Sequence, residues 1–295
     1  MTSNASMQVL GTAHPAEWLE VLRRSHQHDF HHLPQYHRVA EQRGDGTAQL
    51  FVYKDAEYEI ALPLLLRPVD AALPNEWRDA TSVYGYGGPV TSHPRLPASV
   101  VHAFQSALTE ELGQRRVLAA FSRLHPLIAQ DQVLTGLGDC PANGETISID
   151  LTESDEEQQT RYNKSCRTSL RKLREPDFVA LHDRERRYLP AFVEVYLETM
   201  RRAGAQSSYF FDEGYFNLLT RELSDVSHLF VALKDSKVAA ATLCTIRDAT
   251  QAGPGSALPT LRDWLQLSHE QRPGRDWPRT VARAAGADRG ATAKL

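Results

Sequence analysis

Between Asp79 and Pro89 the chain reads Asp-Ala-Thr-Ser-Val-Tyr-Gly-Tyr-Gly-Gly-Pro. Thr81 and Val83 are β-branched and fit a strand, after which Tyr84 and Tyr86 alternate with Gly85, Gly87 and Gly88 until Pro89 removes a ladder donor. A core strand gains nothing from three glycines, which give up side-chain packing. They suit a backbone that must bend, or one that another molecule must approach closely. The tyrosines add flat surfaces tipped with hydroxyls, so the stretch reads as a strand whose far end faces a ligand; a glycine-rich bulge closing a sheet edge is the plainer alternative. Arg67, at the close of an upstream apolar run, offers a guanidinium fork to a phosphate or carboxylate; a solvated strand end is the plainer alternative.

A second group is basic. Arg161 to Arg174 carries Arg161, Lys164, Arg167, Arg171, Lys172 and Arg174 with no acid until Glu175. On a helix, Lys164, Arg167, Arg171 and Arg174 recur at i+3 and i+4 and form one stripe of like charges, which repel one another. A helix that disfavours itself in this way points to a polyanionic partner, against the alternative of a solvated face. A third group is His26, His28, His31, His32 and His37. His28 and His32 have the spacing of a zinc helix, but Pro34 interrupts it and no nearby carboxylate or cysteine completes a tetrahedral set. The segment is therefore expected to be a polar surface or substrate-facing loop, and no metal is expected.

The elements that must hold these residues follow from pattern. The 295 residues suffice for two domains, and a net charge of -4 argues against nucleic acid, DNA included, or a membrane surface as a global partner, while leaving room for local basic segments. Three dispersed cysteines indicate a reducing, cytoplasmic setting; the N-terminus lacks a signal pattern, and no apolar run nears the roughly 20 residues of a membrane span. Helices are expected from Trp18 to Ser25, from Tyr36 to Arg43 and from Ala98 to Leu112. A hairpin is expected from Gln49 to Arg67, turning at Lys54-Asp55, with further strands from Val117 to Arg123 and from Ile147 to Leu151. In the second half, a helix from Leu189 to Ala203 and another capped by Asp212 precede a hairpin from His228 to Arg247.

That second hairpin repeats the first. Leu-Phe-Val occurs at 50–52 and 229–231, Lys-Asp at 54–55 and 234–235, and an arginine closes each at 67 and 247. Two helices followed by a hairpin, twice, predict an internal duplication. The fold class is α/β, with a first domain over 1–152, a second and incomplete one over 153–247, and an atypical tail over 248–295. After Ile246 there is no Phe, Tyr, Ile or Met, and only Leu258 to Leu267 has a helical pattern. A truncated or frameshifted ending is the expectation for this tail.

The series His28 to His37, the run Ala61 to Arg67, Ser82 to Pro89, and Tyr196 to Ala205 with Tyr209-Phe210-Phe211 together resemble the FemAB-type branch of the GNAT acyltransferases, over roughly residues 8 to 247. The resemblance implies two tandem GNAT-like domains with mixed sheets in a bacterial transferase of cell-wall biogenesis. It implies transfer of an aminoacyl group from a charged tRNA, or an acetyl group from coenzyme A, to an amine of a peptidoglycan or other cell-envelope precursor. No permanently bound cofactor is implied. Acyl transfer needs a positioned amine, a proton acceptor and donors for the oxyanion. Tyr84, Gly85, Tyr86, Gly87 and Gly88 are the candidates for acceptor and oxyanion, Arg67 for an anionic group, and Arg201, Arg202 and Tyr209 for the same ligand by resemblance. The stripe of Lys164, Arg167, Arg171 and Arg174 would take a tRNA or a pyrophosphate-linked precursor. No catalytic base is assigned from the sequence, and a binding remnant without a donor site is the competing expectation.

Overall fold

A computed structural model of the chain describes residues 5–69, 76–145, 153–173, 178–246 and 289–294. The chain divides into two compact units, Met1–Thr146 with Ala287–Leu295, and Ile147–Gly286.

The first unit opens with β1 (Ser6–Gly11), which the sequence reading missed, and α1 (Pro15–Arg24), started by a proline at its first turn. A single 3-10 turn, Phe30–His32, leads to α2 (Pro34–Gln42). β2 (Thr47–Lys54) and β3 (Glu59–Pro68) form the first hairpin, with a four-residue turn at 55–58 in place of the expected turn at Lys54-Asp55. β4 (Arg78–Thr81) and β5 (Val90–Thr91) follow, then α3 (Ala98–Gln114), β6 (Val117–Arg123), α4 (Asp131–Leu134) and β7 (Ala142–Glu145). The sheet runs β1-β2-β3-β4-β6, then the strand Arg289–Lys294, then β7, with β5 also paired to β3. The β4 and β6 pair is parallel, as a helical crossover such as α3 allows; the other described pairs are antiparallel.

β3 is buried from Glu59 to Leu66, and one face of it, Ile60, Leu62, Leu64 and Leu66, packs with Phe51 and with Phe104 and Leu108 of α3. β4 pairs with Leu65 to Pro68 and β5 with Ile60 and Ala61, so Leu62 to Leu64 have β2 on one side and neither of these strands on the other. Pro63 stands in that gap, where a residue without an N–H forfeits no bond to β4 or β5. Across the same gap the chain from Ser82 to Pro89 leaves the sheet. The expected strand over 79–89 is therefore two short strands with a turn at Tyr84, Gly85 and Tyr86 between them.

In the second unit the expected basic helix is split. α5 (Asp155–Arg161) starts from a Ser154/Glu157 capping box, and α6 (Lys164–Leu173) starts where Asn163 Oδ1 accepts from the Cys166 N–H (2.8 Å). β8 (Phe178–Asp183), also missed from sequence, precedes α7 (Leu189–Arg202), a 3-10 turn at Ser207–Tyr209, and α8 (Glu213–Glu222). Asp212 caps α8 as expected, accepting from the Tyr215 N–H at 2.8 Å. β9 (Ser227–Lys234) and β10 (Lys237–Thr245) form a hairpin whose two turn residues, Asp235 and Ser236, both have positive φ (49° and 61°), the tight turn that matches strand twist. The order β10-β9-β8 is antiparallel throughout, so among the described strand pairs the parallel one lies in the first unit's sheet. Leu189, Phe192, Val193, Phe216, Leu229 and Val231 form its core.

The described elements carry the repeat that the hairpins suggested. In each unit a strand, two helices and a hairpin follow in order, and the opening strand pairs antiparallel with the hairpin's first strand. The expected strand from Ile147 to Leu151, the helix from Leu258 to Leu267 and Arg174 lie outside the described residues.

Candidate functional site

The histidine segment is not a polar surface loop. His28, His31, His32 and His37 are buried, and only His26 of the five is exposed. The chain folds them inward because Asp29 caps the 3-10 turn, its Oδ1 accepting from the Phe30 N–H (2.6 Å) and its backbone N–H donating to His32 Nδ1 (3.0 Å). With Nδ1 an acceptor, the His32 proton sits on Nε2 and is donated to the Gly88 carbonyl at 3.1 Å. The His32 carbonyl accepts from Trp18 Nε1 (2.9 Å), and His37 donates from Nδ1 to the Leu33 carbonyl (3.0 Å). Burial pushes His32 down to about 3, outweighing the nearby Asp29 charge, and pushes His37 down to about 4 against its bond to Leu33, so both are neutral.

Asp29 is also the carboxylate that the sequence reading did not connect to the histidines. Its Oδ2 accepts from His31 Nδ1 at 2.9 Å and from His125 Nε2 at 3.2 Å. His125 follows β6, 96 residues away. Burial raises the Asp29 pKa, but the hydrogen bonds from His125 and His31, the His31 charge and the Phe30 N–H outweigh it and hold the carboxyl well below the usual range. The three side chains offer ligand atoms within 4.8 Å of one another, the spacing at which a metal ion must be considered.

The tyrosine-glycine turn lies against this cluster. Gly85 has φ +106°, and a Cβ there would lie 2.3 Å from both Nε2 and Cδ2 of His31, so the position admits glycine alone. The Tyr86 ring makes T-shaped contacts with His31 (5.5 Å) and His125 (5.8 Å), and Tyr36, whose hydroxyl donates to the Tyr84 carbonyl (2.8 Å), lies 5.7 Å from the His31 ring. Tyr84 is 51% exposed, whereas Gly87 and Gly88 are buried. A Cβ at Gly88 would meet Gln130 Oε1 at 2.3 Å; that buried amide accepts from the His125 N–H and donates to the Pro89 carbonyl, both at 2.6 Å. The turn is thus fixed from beneath by Gln130 and His32 and is open at Tyr84.

Arg67 is engaged by its own chain. It forms a two-pronged pair with Asp79, its cross-strand neighbour, at 2.6 and 3.0 Å. In the second unit, Lys164, Arg167 and Arg171 line a cavity of about 330 Å³ together with Gln159, Thr168 and Leu170. None of the three cations has an acidic partner among the described residues, whereas Arg161, on the preceding helix, pairs with Glu153. Arg201 and Arg202 end α7 and are exposed; Tyr209 is 42% exposed, and its carbonyl accepts from the Tyr196 hydroxyl.

Sequence reasoning missed Asp29, His125 and Gln130. The Asp29-x-x-His32 spacing is the local signal that marks Asp29 as a cap; no local signal links His125 or Gln130 to it.

No protein-family model and no curated protein matches the sequence. Among solved structures, the crystal structure of FemX matches with a TM-score of 0.55 at 16% identity, over 77% of this chain and 57% of that one. The chain thus spans little more than half the length of FemX. A conserved protein of unknown function from Bacteroides thetaiotaomicron VPI-5482 matches with a TM-score of 0.45 at 10% identity, over 80% of this chain and 74% of that one. The mixed α/β architecture, with its eight-stranded sheet and second three-stranded sheet, therefore shares the fold of FemX.

Proposed function

We propose that the chain is a cytoplasmic acyltransferase of the FemAB and GNAT type, moving an aminoacyl or acetyl group onto an amine of a peptidoglycan or other cell-envelope precursor. The observation that carries this reading is the FemX-like fold combined with two unspent binding features, one in each unit. In the first unit, the glycine turn exposes Tyr84 and brings Tyr86 over a histidine-carboxylate cluster, a surface suited to a small polar acceptor. In the second, three uncompensated cations line one cavity, which suits the phosphates of a nucleotide-linked acceptor, a coenzyme A or a tRNA. Arg67 serves the first unit as a cross-strand tie to Asp79; Arg201, Arg202 and Tyr209 are assigned to the acceptor by resemblance. No described helix is long and apolar enough to cross a membrane.

Calorimetric titration of the full chain with a uridine-diphosphate-linked muropeptide, with acetyl-coenzyme A and with an aminoacyl-tRNA tests the reading. Binding of the muropeptide and of one donor is expected. Acceptor binding with neither donor would make the chain a binding protein, and binding of none would overturn the assignment.

A further inference from the structure

We infer that the imidazole of His31, held by Asp29, is the proton acceptor for a primary amine bound at the tyrosine-glycine turn. The inference rests on the acyl-transfer reading above.

Each ring nitrogen in the cluster can be assigned from its partner. His125 Nδ1 accepts from the Leu127 N–H (3.1 Å), so its proton is on Nε2 and is donated to Asp29. His32 has both nitrogens committed to the backbone, and His37 is sealed in the interior. His31 donates from Nδ1 to Asp29, which leaves the lone pair on Nε2, and that nitrogen has no hydrogen-bond partner among the described residues. It lies on the ring edge that packs against the Gly85 backbone, where any Cβ would cap it at 2.3 Å, and it is not fully enclosed. A carboxylate on one imidazole nitrogen and a lone pair on the other is the arrangement that fixes a tautomer and stabilises the imidazolium once a proton arrives.

The same three residues fit a metal ion less well. A cation between His31 Nδ1, His125 Nε2 and Asp29 would drive the His125 proton to Nδ1, directly against the Leu127 N–H. In the transfer step, the neutral amine attacks the carbonyl carbon of an ester or thioester and a C–N bond forms. His31 Nε2 takes the proton from the resulting ammonium nitrogen. The C–O or C–S bond breaks, and His31 returns the proton to the departing oxygen or sulfur. His31 is the catalytic residue; Asp29 is a positioning residue.

Two measurements on the full chain test this. In two-bond 1H–15N spectra at neutral pH, His31 is expected as the Nδ1–H form and His125 as the Nε2–H form, with Asp29→Asn disturbing His31. A His31 proton on Nε2 overturns the inference, as does stoichiometric zinc binding that shifts both rings. In single-turnover transfer from acetyl-coenzyme A or alanyl-tRNA to a uridine-diphosphate-linked muropeptide, His31→Asn keeps an N–H toward Asp29 but has no base. It is expected to slow transfer at least about 100-fold while muropeptide affinity changes less than about threefold. Wild-type transfer that survives His31→Asn within about threefold overturns the inference alone, whereas a wild type inactive with both donors removes the acyl-transfer reading and the inference with it.

Discussion

Several single residues in this chain are fixed by what a neighbour forbids. At Gly85 any side chain meets the His31 ring at 2.3 Å and takes up a left-handed backbone, two penalties at once. Gly85→Ala is therefore expected to cost about 1–3 kcal/mol or more, read from the urea midpoint, and to change the His31 resonances. An alanine variant of unchanged stability and spectrum would contradict the close contact. His32 and His37 make a pH prediction whose sign follows from their depressed pKa values of about 3 and about 4 against an ordinary 6.5. Below pH 6.5 the unfolded chain binds protons that the folded chain refuses. Stability is complete above that pH and is lost as the pH falls toward 4 and then 3, by about 2 kcal/mol per histidine near pH 5. Urea titrations at pH 7.5 and 5 check it, and a histidine-to-glutamine variant at His37 should flatten the dependence. Trp18, fully buried and bonded to the His32 carbonyl, should lose about 1–3 kcal/mol as Trp18→Phe, since that acceptor is left unpaired.

At the scale of elements, charge placement separates ties within the fold from sites for a ligand. Glu59 is buried at the start of β3 and is gripped by both prongs of Arg24 from α1 at 2.9 to 3.2 Å, with Lys54 at 3.7 Å. Arg24→Ala leaves that carboxylate with the distant lysine and should lower stability by about 1–3 kcal/mol; Arg24→Lys should recover only part, because the fork is lost. α6 is the opposite case. Replacing Lys164, Arg167 and Arg171 by alanine removes charges that the described fold does not use, so stability should be unchanged or improved. The logarithmic salt dependence of tRNA binding should become shallower by about two to three. A slope equal to wild type would show that the cavity takes no polyanion. The stripe itself was legible because helical spacing is local, yet the break at 162–163 was not obvious, since Asn163 starts a new helix by capping it with a side chain.

At the scale of the whole molecule, each unit has its own core. Phe216→Ala, deep in the second, should reduce hydrogen-exchange protection of β8, β9 and β10 by about 3–5 kcal/mol while β2 and β3 keep theirs, and equal loss in both sheets would contradict it. The hairpins, the long helices and the repeated order of elements were determined by the sequence alone, because period-two and period-3.6 patterns and caps involve residues a few positions apart. Even the glycine turn announced itself by composition, although not by its conformation. Tertiary structure decided the rest. Whether Pro63 sits in a ladder or in a gap depends on where β4 and β5 end, and whether the histidines face water depends on the sheet and helices that cover them. The meeting of Asp29 with His125 across 96 residues is set by the parallel registration of β6 on β4, a relation between distant segments that local chain preference does not encode.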